Sequence, residues 1–296
     1  MPDVKIFWDP SGVTVDSLGN KEFLRATDGD TPYVSISIRM LSIDTPETHY
    51  PGRGRPSRQD ENLSQLADWI VQGKAPISDG LAAYLHPRLA SGKAGSLQEM
   101  QGEKAKQGFV DLLNRLLTKP NGSKRSLFIR TADQPFDQYG RLLAYIAPSY
   151  TSEELITLSR WERATLNVLM VRLGWAASFI IYPSLPKYDD LTMLHGAAKE
   201  AYLAGRGIWA DALMLTGYEF RMVVKLHGVT AKLVAGEKLS ERERKSWIER
   251  YCFDLTTREI FYPEDYYRVA PYNRAFVWPQ DVSDAVGRLN LTPGGR

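Results

Sequence analysis

The sequence predicts an α+β fold, because strand-like and helical periodicities occupy separate stretches of the chain. Between Val34 and Met40 apolar residues alternate with polar ones, which is the period of a strand with one buried face. From Gly102 onward, apolar residues recur at the spacing of an amphipathic helix. Strand-forming residues begin at Val13 and Val15, so we expect the chain to open with an antiparallel sheet.

The remaining elements are predicted from the same periodicities and from glycine and proline stops. They are a helix that starts at Gly102 and ends before Pro120, strands over 126–130 and 142–146 around a turn at 137–140, a helix that ends near Leu173, a helix over about 191–205, a strand over 220–226 and a charged helix near 240–252.

Residues 48–101 differ in composition from the segments on either side. They combine a glycine- and arginine-rich start, one helical stretch around Leu66 and a Gly/Ser-rich end. We interpret them as an insertion. The predicted organisation is one domain over residues 1–211 that contains this insertion, followed by a small α/β appendage over 212–296.

Composition excludes several classes of protein. The 296 residues carry 37 Lys+Arg and 35 Asp+Glu, a net charge of +2, so the chain is neither a polybasic coat protein nor an acidic tail. Cys252 is the only cysteine and there are four histidines, which makes a disulfide or a zinc site improbable. No signal peptide and no membrane span is expected, and the predicted location is the cytoplasm.

Acidic residues with the chemistry of a hard-cation site lie in two short clusters. Calcium takes several oxygen ligands from carboxylates and main-chain carbonyls. Asp30, Asp44 and the carbonyl of Thr45 could supply them. The sequence therefore indicates a Ca²⁺ site rather than a zinc site.

Two arginines and one further acid complete a set suited to phosphodiester hydrolysis. A guanidinium matches two phosphate oxygens at once, and Arg39 and Arg141 fit that role. A water that attacks phosphorus needs a carboxylate to orient it, and Glu47 lies three residues after Asp44. Taken singly, each of these residues is better explained by a turn, a solvated strand or a helix start.

The order of these clusters along the chain is more informative than any one of them. The motifs in order are Asp28-Gly29-Asp30-Thr31, Arg39 followed by Asp44-Thr45-Pro46-Glu47-Thr48, Gly102 to Lys106, Asp137 to Ile146, Leu166 to Ala176, and Gly207-Ile208-Trp209. Together they resemble the staphylococcal nuclease (thermonuclease) family from about Phe23 to Asp211, apart from the insertion.

The resemblance implies an OB-fold, a five-stranded barrel with three helices. It also implies cleavage of DNA and RNA with little sequence preference. The site residues that it implies are Asp30, Asp44 and Thr45 as Ca²⁺ ligands, Arg39 and Arg141 on phosphate, Glu47 as general base, and Asp137, Tyr139 and Tyr182 lining the nucleotide pocket.

The sequence departs from the family pattern in several respects. Asp30 and Arg39 are closer in sequence than in the secreted enzymes, so the hairpin between them must be shortened. Gln138 replaces a lysine and Ile180 stands where a pocket tyrosine is expected, so substrate affinity is expected to fall more than turnover. Strict alternation would place Arg39 and Asp44 on opposite faces of one strand, so the strand must end or bulge between them.

Two other functions remain open from the sequence. The first is a non-catalytic scaffold that binds nucleic acid or protein, since some relatives keep the fold without the acids. The second is a protein partner for the appendage, residues 212–296, in a larger assembly such as a restriction or phage-defence system. No membrane partner is expected.

Overall fold

A computed structural model of the chain describes residues 20–295, except for the side chains of residues 133 and 134. The predicted strand residues Val13 and Val15 lie outside the described residues. Its strands are β1 Phe23–Ala26, β2 Pro32–Val34, β3 Ile38–Met40, β4 Ile43–Asp44, β5 Leu127–Phe136, β6 Leu142–Pro148, β7 Ala177–Ser178, β8 Ile180–Tyr182, β9 Tyr251–Asp254, β10 Glu259–Phe261, β11 Arg274–Val277 and β12 Thr292–Pro293. Its α-helices are α1 Asp60–Val71, α2 Asp79–Leu89, α3 Ala94–Leu117, α4 Ser152–Thr157, α5 Leu166–Arg172, α6 Tyr188–Leu203, α7 Gly217–Val234, α8 Glu241–Arg244 and α9 Val282–Leu289.

The described chain divides into two compact units. The first contains residues 20–39 and 131–144, and the second contains residues 40–130 and 145–295. Strands β1 and β2 of the first unit pair antiparallel, with Phe23 opposite Val34. A three-stranded sheet has the order β3-β6-β5. These strands and helices confirm the predicted α+β class.

Several predicted boundaries are confirmed. The predicted helix stop at Gly174 has φ +76°, a left-handed conformation that glycine adopts without strain, and α5 ends just before it. The turn between β5 and β6 is closed by the N–H of Gly140, which donates to the carbonyl of Asp137 at 2.9 Å. The strand that carries Arg39 ends at Met40 and a new strand begins at Ile43. The interruption required between Arg39 and Asp44 is therefore present, with Ser42 at φ +61°.

Three sequence predictions of local structure were wrong. The long helix α3 begins at Ala94, eight residues before Gly102, so the second half of the Gly/Ser-rich run forms its first turn rather than a loop. Residues 220–226 form the middle of helix α7 and not a strand. The charged helix predicted near 240–252 is limited to α8, and strand β9 begins at Tyr251.

The insertion and the C-terminal residues share one hydrophobic core. Leu63 and Leu66 of α1, Leu85 of α2 and Phe220 and Leu226 of α7 are all fully buried in the same cluster. Apolar burial is the dominant stabilising term in folding. The predicted boundary at residue 211 stays a prediction, but residues from both sides of it form this core.

Strand β8 joins the C-terminal strands in a five-stranded sheet with the order β12-β10-β9-β11-β8. It pairs parallel with β11, and Tyr182 lies opposite Val277. The described strands form separate sheets and do not trace a closed barrel. The five-stranded barrel therefore stays a prediction.

None of the helices between residues 20 and 295 is both long enough and apolar enough to cross a membrane.

We expect the insertion to contribute directly to global stability. Replacing Leu66 by alanine removes a fully buried side chain and should lower the free energy of unfolding by about 2–5 kcal/mol. The control is Val71→Ala on the same helix, where the side chain is 71% exposed and the loss should stay within about 0.5 kcal/mol. Urea unfolding of both variants measures the difference. Equal midpoints would contradict a shared core.

Candidate functional site

The segment Asp44 to Glu47, called the acid loop below, begins at the end of a short buried strand. Strand β4 pairs antiparallel with β7, so that Ile43 lies opposite Ser178 and Asp44 opposite Ala177. This pairing fixes the main chain where the acid loop starts. Asp44 is only 1% exposed, although it carries a carboxylate. A buried carboxylate requires compensating charge and hydrogen bonds nearby.

Helix α3 contacts one side of the acid loop. A Cβ on Gly102 would lie 2.8 Å from the carbonyl oxygen of Glu47, so only glycine permits this approach of helix and loop. The buried amide of Gln98 accepts from the N–H of Glu47 at 2.8 Å and donates to the carbonyl of Leu215 at 3.0 Å. Gln98 thus ties the loop to the segment that precedes α7.

The first turn of helix α7 contacts the other side of the acid loop. A Cβ on Gly217 would lie 2.5 Å from the carbonyl oxygen of Thr45 and 2.6 Å from Oδ2 of Asp44. Arg221, one turn further along the helix, donates from Nη2 to Oδ2 of Asp44 at 3.0 Å and from Nη1 to Oδ1 at 3.3 Å. Its Nη1 also donates to Glu47. One guanidinium therefore binds two acids of the loop.

The start of α7 is itself held by a buried ion pair. Thr216 caps the helix, and the Oε2 of Glu219 accepts from the main-chain N–H of Thr216 at 2.9 Å, which forms a capping box. Oε1 of Glu219 accepts from Arg274 of β11 at 3.0 Å and from the hydroxyl of Tyr84 at 2.7 Å. These contacts fix the position of the helix end that carries Arg221.

Burial alone would raise the pKa of the Glu219 carboxyl, because the charged form loses hydration. The charge of Arg274 and the hydrogen bonds from Thr216 and Tyr84 act in the opposite direction and hold the pKa below its ordinary value. Glu219 is therefore a charged, fully paired side chain at neutral pH.

In the first unit, the turn after β5 positions Arg141. Oδ1 of Asp137 accepts from the main-chain N–H groups of Tyr139 and Arg141 at 2.9 and 3.0 Å. Oδ2 of Asp137 accepts from Nε of Arg141 at 2.7 Å. The guanidinium carbon of Arg141 lies 5.2 Å from the centre of the Tyr139 ring. Asp137 thus holds both the turn and the arginine.

Three further predicted site residues are carried by different elements of the fold. Asp30 is exposed in the turn between β1 and β2, where its Oδ1 accepts from the hydroxyl of Thr31 at 3.3 Å. Arg39 is half-buried on β3. Tyr182 is 4% exposed on β8, and its hydroxyl donates to Asp284 of α9. The substrate-binding role of Tyr182 stays a prediction.

Two groups of the predicted residues are brought together, one within each unit. The second unit brings together Asp44, Thr45 and Glu47 in the acid loop, and the first brings together Asp137, Tyr139 and Arg141 at one turn.

Arg221 was not among the residues predicted from the sequence, because residues 220–226 were interpreted as a strand. The motif Thr216-x-x-Glu219 is a helix-start signal that could have placed it on a helix.

A match to a family model shows which protein family the chain belongs to. A family model described as "Staphylococcal nuclease homologue" matches residues 37–211, which is more than half of the chain. The chain belongs to the staphylococcal nuclease family. Within this family match lie the acid loop and Arg141, whereas Gly217, Glu219 and Arg221 lie beyond it.

The similarity to one curated relative covers more of this chain than the family match does. The chain is 23% identical over 271 residues to endonuclease YhcR of Bacillus subtilis (strain 168). The alignment covers 89% of this chain and 16% of the relative. The chain therefore spans about a sixth of the length of that protein.

The oxygens of the acid loop have the chemistry of a calcium site. Oδ2 of Asp44 and the carbonyl oxygen of Thr45 lie 2.6 and 2.5 Å from the position that a Cβ on Gly217 would take, so the two oxygens are at most about 5.1 Å apart. Oxygen ligands lie about 2.3–2.6 Å from Ca²⁺, so two oxygens within this separation can share an ion. Among residues 20–295, no group of three or more His, Cys, Asp or Glu side chains forms a metal cluster. Further ligands would have to be carbonyls or water.

We expect Gly217→Ala to destabilise the acid loop. The added methyl would meet main-chain and carboxylate oxygens that cannot move aside freely, and should lower the free energy of unfolding by about 1–3 kcal/mol. The control is Gly228→Ala on the same helix, where a Cβ meets nothing within 4 Å. That variant should gain up to about 1 kcal/mol from helix propensity. Urea unfolding that gives both variants the same sign of change would contradict the close approach.

We expect Glu219→Gln to lower the free energy of unfolding at pH 7 by about 3–5 kcal/mol, because it leaves the 4% exposed Arg274 without its buried counter-charge. The folded pKa of Glu219 is lowered, so its contribution is complete above the unfolded value of about 4.3 and is lost as the pH falls through the folded pKa. The gap between wild type and variant should therefore narrow below about pH 4. Urea unfolding at several pH values measures it, with the exposed Glu241→Gln as control. A gap that is independent of pH would exclude this role for the charge.

Proposed function

We propose that this protein is a metal-dependent nuclease that hydrolyses phosphodiester bonds of DNA or RNA with little sequence specificity. The observation that carries the proposal is the family match over residues 37–211 together with Asp44, Thr45 and Glu47 on one buried loop. Endonuclease YhcR, the curated relative described above, is consistent with this activity. A cytoplasmic location and a protein partner for residues 212–296 remain predictions.

The proposed cofactor is Ca²⁺. Asp44 and the carbonyl of Thr45 would hold it, with Asp30 as the third protein ligand. A bound divalent ion supplies positive charge that neutralises the phosphate oxygens and polarises the phosphorus centre.

Glu47 is the proposed general base. Its side chain is 24% exposed, so water can reach the carboxylate, and its main-chain N–H is fixed by Gln98. A positioned carboxylate can orient a water molecule and take its proton during attack on phosphorus. The leaving oxygen then departs with a proton from solvent.

Arg39 and Arg141 are the proposed phosphate-binding residues. Arg141 is preorganised, because Asp137 holds its Nε at 2.7 Å and the turn fixes its main chain. Its side chain is still 40% exposed, which leaves guanidinium edge for a phosphate. Preorganised charge that meets the transition state without rearrangement is a major source of catalysis. Asp137 and Tyr139 are proposed to line the nucleotide pocket beside it.

One observation favours the alternative of a non-catalytic scaffold. Arg221 donates to both Asp44 and Glu47, so the proposed metal ligand and the proposed base each bind a guanidinium. A scaffold would need these acids only as structural partners of Arg221. The two functions differ in whether cleavage occurs at all.

The activity test uses the purified full chain with single-stranded DNA, double-stranded DNA and RNA in Ca²⁺, Mg²⁺ or EDTA. We expect cleavage in Ca²⁺ that EDTA abolishes. Arg141→Ala and Glu47→Gln should each reduce the rate on the order of a hundredfold, as for other preorganised groups. The controls Arg288→Ala and Glu241→Gln change exposed side chains of the same types and should leave the rate within about twofold. Cleavage that persists in EDTA or in both site variants would refute the assignment, and no cleavage of any substrate would favour the scaffold.

A further inference from the structure

We propose that the Arg221 guanidinium competes with a divalent ion for the Asp44 carboxylate. This competition lowers the affinity of the acid loop for the ion, so that a higher metal concentration is needed to fill the site. The inference deepens the proposed function and rests on it for the identity of the ion. Arg221 lies beyond residues 37–211, which match the family model.

The contacts of Arg221 are those of a charge-compensating group. Its two terminal nitrogens reach the two carboxylate oxygens of Asp44 at 3.0 and 3.3 Å, and Nη1 also reaches Glu47. Planar guanidinium and carboxylate groups pair well in this side-by-side arrangement. Asp44 is 1% exposed, so its charge is stabilised by Arg221 rather than by bulk water.

The guanidinium and a divalent ion would share one ligand. Nη2 of Arg221 donates to Oδ2 of Asp44 at 3.0 Å, and Nη1 donates to Oδ1 at 3.3 Å. A divalent ion bound to the Asp44 carboxylate would therefore lie close to a positive guanidinium. Like charges at such short range repel strongly where water is largely excluded. Ion binding and the Arg221–Asp44 pair consequently oppose each other.

Arg221 is also placed so that the pair can open without unfolding its helix. The start of α7 is fixed by Thr216, Glu219 and Arg274, and not by Arg221 itself. The Arg221 side chain is 25% exposed, which gives it a route toward solvent. An arginine side chain stays protonated in proteins, so Arg221 is positively charged whenever it occupies the loop.

The test measures Ca²⁺ binding to the full chain without nucleic acid, by calorimetric titration with calcium chloride. Arg221→Gln should bind Ca²⁺ at least about tenfold more tightly than wild type, because a neighbouring positive charge is removed. The matched control is Lys225→Gln, which removes one positive charge from an exposed position one turn further along α7. The control should have wild-type affinity. Equal affinities in Arg221→Gln and Lys225→Gln would overturn the proposal.

Thermal unfolding gives a second readout that separates competition from a purely structural role. Calcium should raise the melting temperature of Arg221→Gln more than that of wild type, because a ligand that binds the folded state stabilises it and would restore the missing charge beside Asp44. A structural role alone predicts a destabilised variant whose melting temperature is raised by Ca²⁺ no more than that of wild type. That result would overturn the proposal.

Arg221→Met keeps the test decisive if the glutamine variant does not fold. Methionine removes the positive charge and its flexible side chain packs adaptably, so Ca²⁺ should bind more tightly than in wild type. Unchanged affinity in this variant would overturn competition at Asp44. Adding Asp44→Asn to either variant should abolish the gain, and a gain that survives would place the ion elsewhere and refute the proposal.

The outcome is independent of the activity test. A chain that cleaves no substrate but gains Ca²⁺ affinity in Arg221→Gln would refute the proposed nuclease and support competition. A chain that cleaves in Ca²⁺ but shows no gain would refute competition and leave the nuclease standing.

Discussion

The buried carboxylate of Asp44 is the constraint around which the second unit is arranged. A charged group with 1% exposure is stable only beside an opposite charge, and the structure meets that need with Arg221 from α7. The helix must then begin in one place and one orientation. The ion pair between Glu219 and Arg274 provides this, since it ties the first turn of α7 to β11. A residue of the last strands thus determines where a charge lies in a loop near residue 44.

Two helices position the acid loop by close backbone approach, and only one of them lies within the family match. Gly102 of α3 lies within the family match and brings that helix against the Glu47 carbonyl. Gly217 of α7 lies beyond the match and brings the other helix against Thr45. Gln98 connects both sides through hydrogen bonds to Glu47 and Leu215. The loop therefore has little freedom in its main chain, and chemical adjustment is left to the side chains of Glu47 and Arg221.

The sequence was sufficient for features that depend on short-range geometry. The break between Arg39 and Asp44 followed from strand alternation, and the stop at Gly174 followed from the conformational freedom of glycine. It was insufficient where tertiary packing outweighs local preference. Phe220 and its apolar neighbours suit a strand locally, but a helix lets them fill the core against α1 and α2. The partnership of Asp44 with Arg221 joins residues far apart in sequence, and spacing along the chain carries no signal for it.

The parallel pairing of β8 with β11 has a consequence for association between molecules. In the five-stranded sheet β8 is an end strand whose inner neighbour, β11, comes from the C-terminal residues. Without that neighbour, the main-chain groups of Ile180, Ile181 and Tyr182 would form an open apolar edge. Open edges recruit strands from other copies and lead to aggregation. Strand β11 therefore covers one edge of β8, in addition to supplying Arg274, the arginine that reaches Glu219.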